Sequence, residues 1–253
     1  MRIKKASGAF FPWTLAGIAF LFLVWELAAR VYGSGLILPG PLRVVRSFIS
    51  LVPTGRFLSA LGGSLLRVLG GILIAVPLGT LAGIASGLDR RFNAFISPLF
   101  SVISATPVMS VILIAFLFLG AGRTPVFTAF LMIFPVMAAN TAEGMKNTDE
   151  KLKELFAAFR MSRKETLRYL YIPSLVPFIL GGLRSSLSQC WKVVVAAEVM
   201  VQPLRSLGTG MQQAKAQLET SELFAWTLVT VIAAAMLQGL LGFALRFLGK
   251  RGA

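Results

Sequence analysis

Hydrophobicity along this chain comes in long blocks separated by polar or Gly/Pro-rich breaks. A helix needs roughly 20 predominantly apolar residues to cross a hydrocarbon core, so blocks of that size predict membrane spans. Six stand out: Phe11–Arg30, Leu65–Gly87, Phe95–Leu119, Pro125–Ala139, Val176–Val201 and Leu223–Phe247. The third contains Pro98 and Pro107 and reads as one kinked span, because neighbouring helices can satisfy the carbonyls that proline frees. The fourth is short unless Asn140, Thr141 and Ala142 extend it. No fixed-period repeat, low-complexity tract or soluble second domain is visible. The expectation is therefore an all-α polytopic membrane protein with six transmembrane helices. It forms a single domain over residues 1–253, with an N-terminal helix at 11–30 and a core region of about 62–248.

Composition agrees: 56% of residues are hydrophobic and 14% charged, against about 25% charged in an average soluble domain. Lys and Arg number 25 against 10 Asp and Glu, a net charge of +15. Such a balance raises the question of nucleic acid, but these cations punctuate apolar runs instead of lining a polar face with aromatic groups, so no nucleic-acid partner is expected. Orientation by short charged loops explains the excess. With the amino terminus in the cytoplasm, fifteen cations fall inside and eight outside. The inside set is Arg2, Lys4, Lys5, Arg90, Arg91, seven between Lys146 and Arg168, and Arg246, Lys250 and Arg251. Both termini are thus expected on the cytoplasmic side. Met1–Lys5 and the small residues Leu27-Ala28-Ala29 resemble parts of a cleaved leader. The apolar stretch between them, at about 16 residues, exceeds a usual leader core and reads as a retained span.

One cysteine, Cys190, and no histidine are present. An internal disulfide is impossible, a zinc site has no ligand set, and general acid–base catalysis by His is excluded. These absences point away from an enzyme, and no metal site is expected.

The longest expected cytoplasmic segment, Glu143 to Tyr171, carries two helix starts. Thr148, Asp149 and Glu150 offer a cap and first-turn acids, followed by Leu152, Leu155, Phe156 and Phe159 on one apolar stripe. Ser162 and Glu165 then fit a capping box, and Leu167, Leu170 and Tyr171 continue a second helix that Pro173 is expected to end. The bend falls at Arg160–Ser162. The apolar stripe fits the groove of a partner. It also fits the bilayer surface, or packing back on the bundle.

In residue order this segment resembles the signature of permease subunits of binding-protein-dependent ATP-binding-cassette importers. That signature has a Glu, two positions often Ala, three variable residues and a Gly, then a small or apolar residue and Ser, and later apolar-x-Leu-Pro. Glu154, Ser162 and Pro173 match, while Leu155, Phe156 and Arg160 depart. With Arg160 where the family has Gly, the bend is not expected to rely on a free left-handed conformation. Leu38-Pro39-Gly40-Pro41, Gly182-Leu183-Arg184, Trp191 through Ala197-Glu198, and Ser206-Leu207-Gly208-Thr209-Gly210 are similar to the nitrate/sulfonate/taurine branch.

The resemblance implies a MetI-like permease fold with cytoplasmic coupling helices in a multi-pass cell-membrane subunit. It implies pairing in the membrane as a homodimer, an extracytoplasmic substrate-binding protein, and a pair of ATPase subunits that bind the ATP. No Gly-x-x-x-x-Gly-Lys-Ser/Thr loop occurs here, and no cofactor is expected on this chain. Coupling to the ATPase would rest on Glu154, Leu155, Phe156, Phe159, Arg160, Ser162 and Arg163. Ser104, Thr106, Gln189, Trp191, Lys192 and Glu198 are candidates for the translocation path. Charges at bilayer depth need a partner or water, so Lys192 would suit an anionic substrate, and Glu198 either the path or a lock on a neighbouring helix. Sulfonates, nitrate, bicarbonate and vitamin precursors are the solutes such permeases handle. A secondary transporter is the alternative, but the repeated halves typical of that class are absent.

Overall fold

Chain segments that keep apolar residues together for 20 or more positions become helices because lipid offers the backbone no hydrogen-bond partner. The computed structural model describes residues 11–251, and among these no strand occurs. The basic cluster Arg2, Lys4 and Lys5 lies outside the described residues, as do the side chains of Arg246, Lys250 and Arg251. In order the helices are α1 (Phe11–Tyr32), α2 (Pro41–Leu51), α3 (Gly55–Leu88), α4 (Arg90–Ala105) and α5 (Val108–Lys146). After them come α6 (Glu150–Ala158), α7 (Arg163–Thr166), a π-helical turn (Leu167–Tyr171), α8 (Ile172–Val201), α9 (Leu207–Ala216) and α10 (Thr220–Arg251).

Among the described residues five helical runs are long and apolar enough to cross a membrane: α1, α3, α5, Arg163–Val201 and α10. Helix α5 hides a division. Its 39 residues would extend about 58 Å if straight, roughly twice the hydrocarbon thickness. Gly120 interrupts it with φ 69 and ψ 174, a conformation that side chains beyond Gly rarely adopt. The chain folds back there, since Val111 and Leu131 line one cavity although a straight helix would hold them about 30 Å apart. The boundary between the expected third and fourth spans is this turn.

Two expectations are corrected. Phe95–Leu119 is not one kinked helix. Thr106 and Pro107 are extended, with ψ of 127 and 129, and separate α4 from the first part of α5. The cause is local: Pro107 disfavours the helical conformation in the residue before it. Pro173, conversely, does not end a helix. It stands inside a run that stays helical from Arg163 to Val201, and the π turn just before it, with the Ile172 N–H bonded to the Leu167 carbonyl, widens the helix where the proline ring and its missing N–H must be accommodated.

The chain divides into two compact units. One comprises the described residues up to Leu58 with Gly210–Val229. Its centre is Trp226, fully buried, stacked on Phe57 at 6.4 Å and donating to Glu222 Oε1 at 3.0 Å, with the Arg56 guanidinium 5.6 Å from its ring. Trp25 stacks on Phe224 and donates from Nε1 to the Pro39 carbonyl. The other unit comprises Ser59–Thr209 and the chain from Thr230. There α5 packs along α8, and α3 crosses α5 closely. A Cβ at Gly79 would lie 2.6 Å from Met137 Cβ, and one at Gly83 2.5 Å from the Ala138 carbonyl, so small residues permit the crossing.

Candidate functional site

Helix α6 forms because Asp149, just outside it, accepts the Lys151 N–H at 2.9 Å, and Glu150 sits in the first turn beside the positive end of the dipole. Its apolar stripe finds no cover among the described residues. No residue of α6 is buried, Leu155 is 48% and Phe159 72% exposed, and Phe156 is half-buried.

The helix closes on a double hydrogen bond. Met161 N–H donates to the Phe156 carbonyl at 3.1 Å and Arg160 N–H to the Ala157 carbonyl at 3.0 Å, the pattern of a left-handed helix terminus. Arg160 itself has φ 50. The expectation that the bend would not rely on this conformation is therefore corrected: Arg160 adopts it without glycine's freedom, at roughly 1–2 kcal/mol. Replacing Arg160 with Gly relieves that strain but adds the entropy cost of Gly, a net gain of about 0.5–1 kcal/mol. Hydrogen exchange at the Met161 amide should then slow about two- to fivefold.

The second helix start is a complete capping box. Ser162 Oγ accepts from Glu165 N–H at 3.3 Å, and the Ser162 N–H donates to Glu165 Oε2 at 2.8 Å. Glu154, Leu155, Phe156, Phe159, Arg160, Ser162 and Arg163 therefore share one helix–bend–helix, and all but Phe156 are exposed.

Glu198 belongs to a different structure. It is fully buried and accepts from Ser64 Oγ at 2.7 Å, Arg67 Nη1 at 3.0 Å and the Gly208 N–H at 3.3 Å. Ser64 Oγ in turn accepts the Leu207 N–H, and Arg67 donates to the carbonyls of Leu204 and Arg205. One carboxylate thus ties α3 and α8 to the start of α9 and, through Arg67, to the segment that precedes it. In the orientation count Arg67 is one of the eight outside cations, at the edge of the expected span Leu65–Gly87. Ser64 and Arg67 stand three apart on one helical face, which was the available signal.

The remaining path candidates separate. Ser104 lines a cleft of about 520 Å³ with Ser86, Asn93, Ser97, Ser101, Glu143 and Lys146, set among apolar residues such as Phe100 and Val136. Asn93 and Ser97 were not anticipated, although with Ser101 and Ser104 they recur at helical spacing. Thr106 lies in an apolar cavity with Phe118 and Phe127, its hydroxyl donating to the Val102 carbonyl at 2.7 Å. Trp191 is buried. Gln189 and Lys192 are exposed, and with Ser185 they put three polar side chains on the open face of α8.

The chain matches the family described as binding-protein-dependent transport system inner membrane component over residues 75–251. It is 28% identical to the taurine transport system permease protein of Escherichia coli over 89% of this chain and 84% of that one. It is 26% identical to the bicarbonate transport system permease protein of Synechococcus elongatus, covering 81% and 77%. A probable ABC transporter permease protein of Brucella melitensis is 32% identical over 78% and 79%. Among solved structures, a chain of the MetNI methionine ABC transporter in an inward-facing form aligns with a TM-score of 0.51 and 13% identity, over 73% of this chain and 93% of that one. That likeness shows the fold. With this fold, and with the family match over most of its length, the chain belongs to the inner-membrane components of binding-protein-dependent transport systems, the permease subunits of ABC importers.

Proposed function

We propose that α6 and the bend at Arg160 dock into a groove of the ATPase subunit and carry its closure to the membrane helices. The observation that carries this reading is the uncovered stripe of α6, which ends in a phenylalanine 72% exposed. An amphipathic helix laid in a cleft buries such a stripe. Glu154, Arg160 and Arg163 then face the rim as polar contacts. Nucleotide binding and hydrolysis belong to the separate ATPase chains, and the whole of this chain acts as one permease domain with both termini cytoplasmic.

A second part of the reading concerns the path. Ser185, Gln189 and Lys192 lie exposed on a helix built to cross the membrane, where lipid receives a charge only at high cost. Pairing with a second copy would turn this face, with Ser104 and its cleft, toward a shared polar path. Lys192 fits a small anion, and relatives named for taurine, bicarbonate and aliphatic sulfonates support that class.

The test uses the buried Cys190 as a silent background. In a Phe159→Cys variant, the new thiol should react with a maleimide in the free permease and be protected at least tenfold when the ATPase subunits are bound. Equal labelling with and without bound ATPase would refute docking of α6.

A further inference from the structure

We propose that the corner between α1 and α2 is a binding site for the phosphoryl headgroup of an anionic phospholipid. A cavity of about 430 Å³ opens there, lined by Glu26, Arg30, Gly33, Gly35, Arg43 and Arg46 among others. Arg30 is held by Glu26 at 2.7 Å. The guanidiniums of Arg43 and Arg46 have no ion-pair or hydrogen-bond partner among the described residues. The cavity thus carries two uncompensated cations of the residue type that best matches phosphoryl oxygens, through paired, planar donors. Gly35 leaves room for this arrangement, because a side chain there would collide with the Arg43 guanidinium. Helix α2 also begins at the cavity, with no side-chain cap on its positive end.

The surroundings identify the source of the anion as lipid. Leu23, Leu27 and Val31 leave one face of α1 bare up to the cavity. On α2, Val44 and Leu51 point inward, while Leu42, Val45 and Ile49 form a second, exposed stripe beside the arginines, which Val52 continues past the helix end. A helix with an open apolar stripe next to Arg side chains lies in the membrane interface. An acyl chain along α1 would place its headgroup between Arg43 and Arg46. The same site explains why arginines gather on the side that positive-inside orientation should leave poor in them.

The test uses the full-length chain copurified with its ATPase partner and reconstituted in nanodiscs of equal phosphatidylglycerol and phosphatidylcholine. Retained lipids are counted by native mass spectrometry. The wild type should retain phosphatidylglycerol over phosphatidylcholine, and Arg43→Gln with Arg46→Gln should lower that retention about tenfold or more. Arg43→Lys with Arg46→Lys should restore part of it. A large excess of inorganic phosphate should not displace the lipid. Equal retention of both lipids by the wild type would overturn the proposal without recourse to any variant. So would unchanged retention in the Gln pair, or displacement by free phosphate, which would mark a soluble-anion site.

Discussion

Substituting Phe156 with Asp should leave the permease folded in the membrane while uptake falls by at least tenfold. Phe156 is half-buried in a helix with no buried residue, so its own chain loses little by the change. Its partner loses much more. A Phe side chain buried in a groove contributes roughly 1.5–3 kcal/mol, and an aspartate in the same place brings an unpaired charge into an apolar pocket. Together these weaken docking by two or more orders of magnitude. Uptake in proteoliposomes and stimulation of ATP hydrolysis by the loaded binding protein should both collapse, whereas Phe156→Leu should keep most of each. Normal transport by Phe156→Asp with its ATPase bound would show that the docking assignment is wrong.

Glu198→Ala is expected to be the most destabilising single change in the membrane bundle, by roughly 3–5 kcal/mol. The substitution leaves Arg67 without its carboxylate at a position where the side chain is only 15% exposed, and strands the Gly208 N–H. It also releases a loop whose path depends on left-handed Gln202 and Arg205. Glu198→Gln keeps the shape and one accepting oxygen but turns donors toward Arg67, and should lose about half as much. Pairing Glu198→Ala with Arg67→Met removes both charges and should recover part of the loss, since an absent pair costs less than a broken one. Thermal unfolding of the purified subunit measures all three. A Glu198→Ala protein that melts like the wild type yet does not transport would move Glu198 from the framework to the path.

Local chemistry was well legible in the residues. The capping box at Ser162 and Glu165 needs only two side chains three positions apart, and Asp149 caps a helix whose first turn is its immediate neighbour. The stripe of α6 follows from helical spacing alone. What escaped was set by balances that spacing does not weigh. Arg160 takes a conformation that disfavours it because two terminal hydrogen bonds and a neighbouring capping box hold the bend. Pro173 reads as a helix end, yet one extra residue accommodated in a π turn lets the helix run on.

Length and polarity decided from the chain alone that this is a bundle of membrane helices, because hydrocarbon rejects unpaired backbone groups and demands apolar runs of a minimum size. The partner of Glu198 is another matter. Arg67 lies 131 residues away, and several other arginines were equally eligible by sequence. The same holds for the cleft that joins Ser86 on α3 to Ser104 on α4 and Lys146 on α5. A buried charge requires some partner, but which one it meets depends on helix crossings, and those are chosen by close packing at sites such as Gly79 and Gly83. Only the folded chain brings these residues within hydrogen-bond reach.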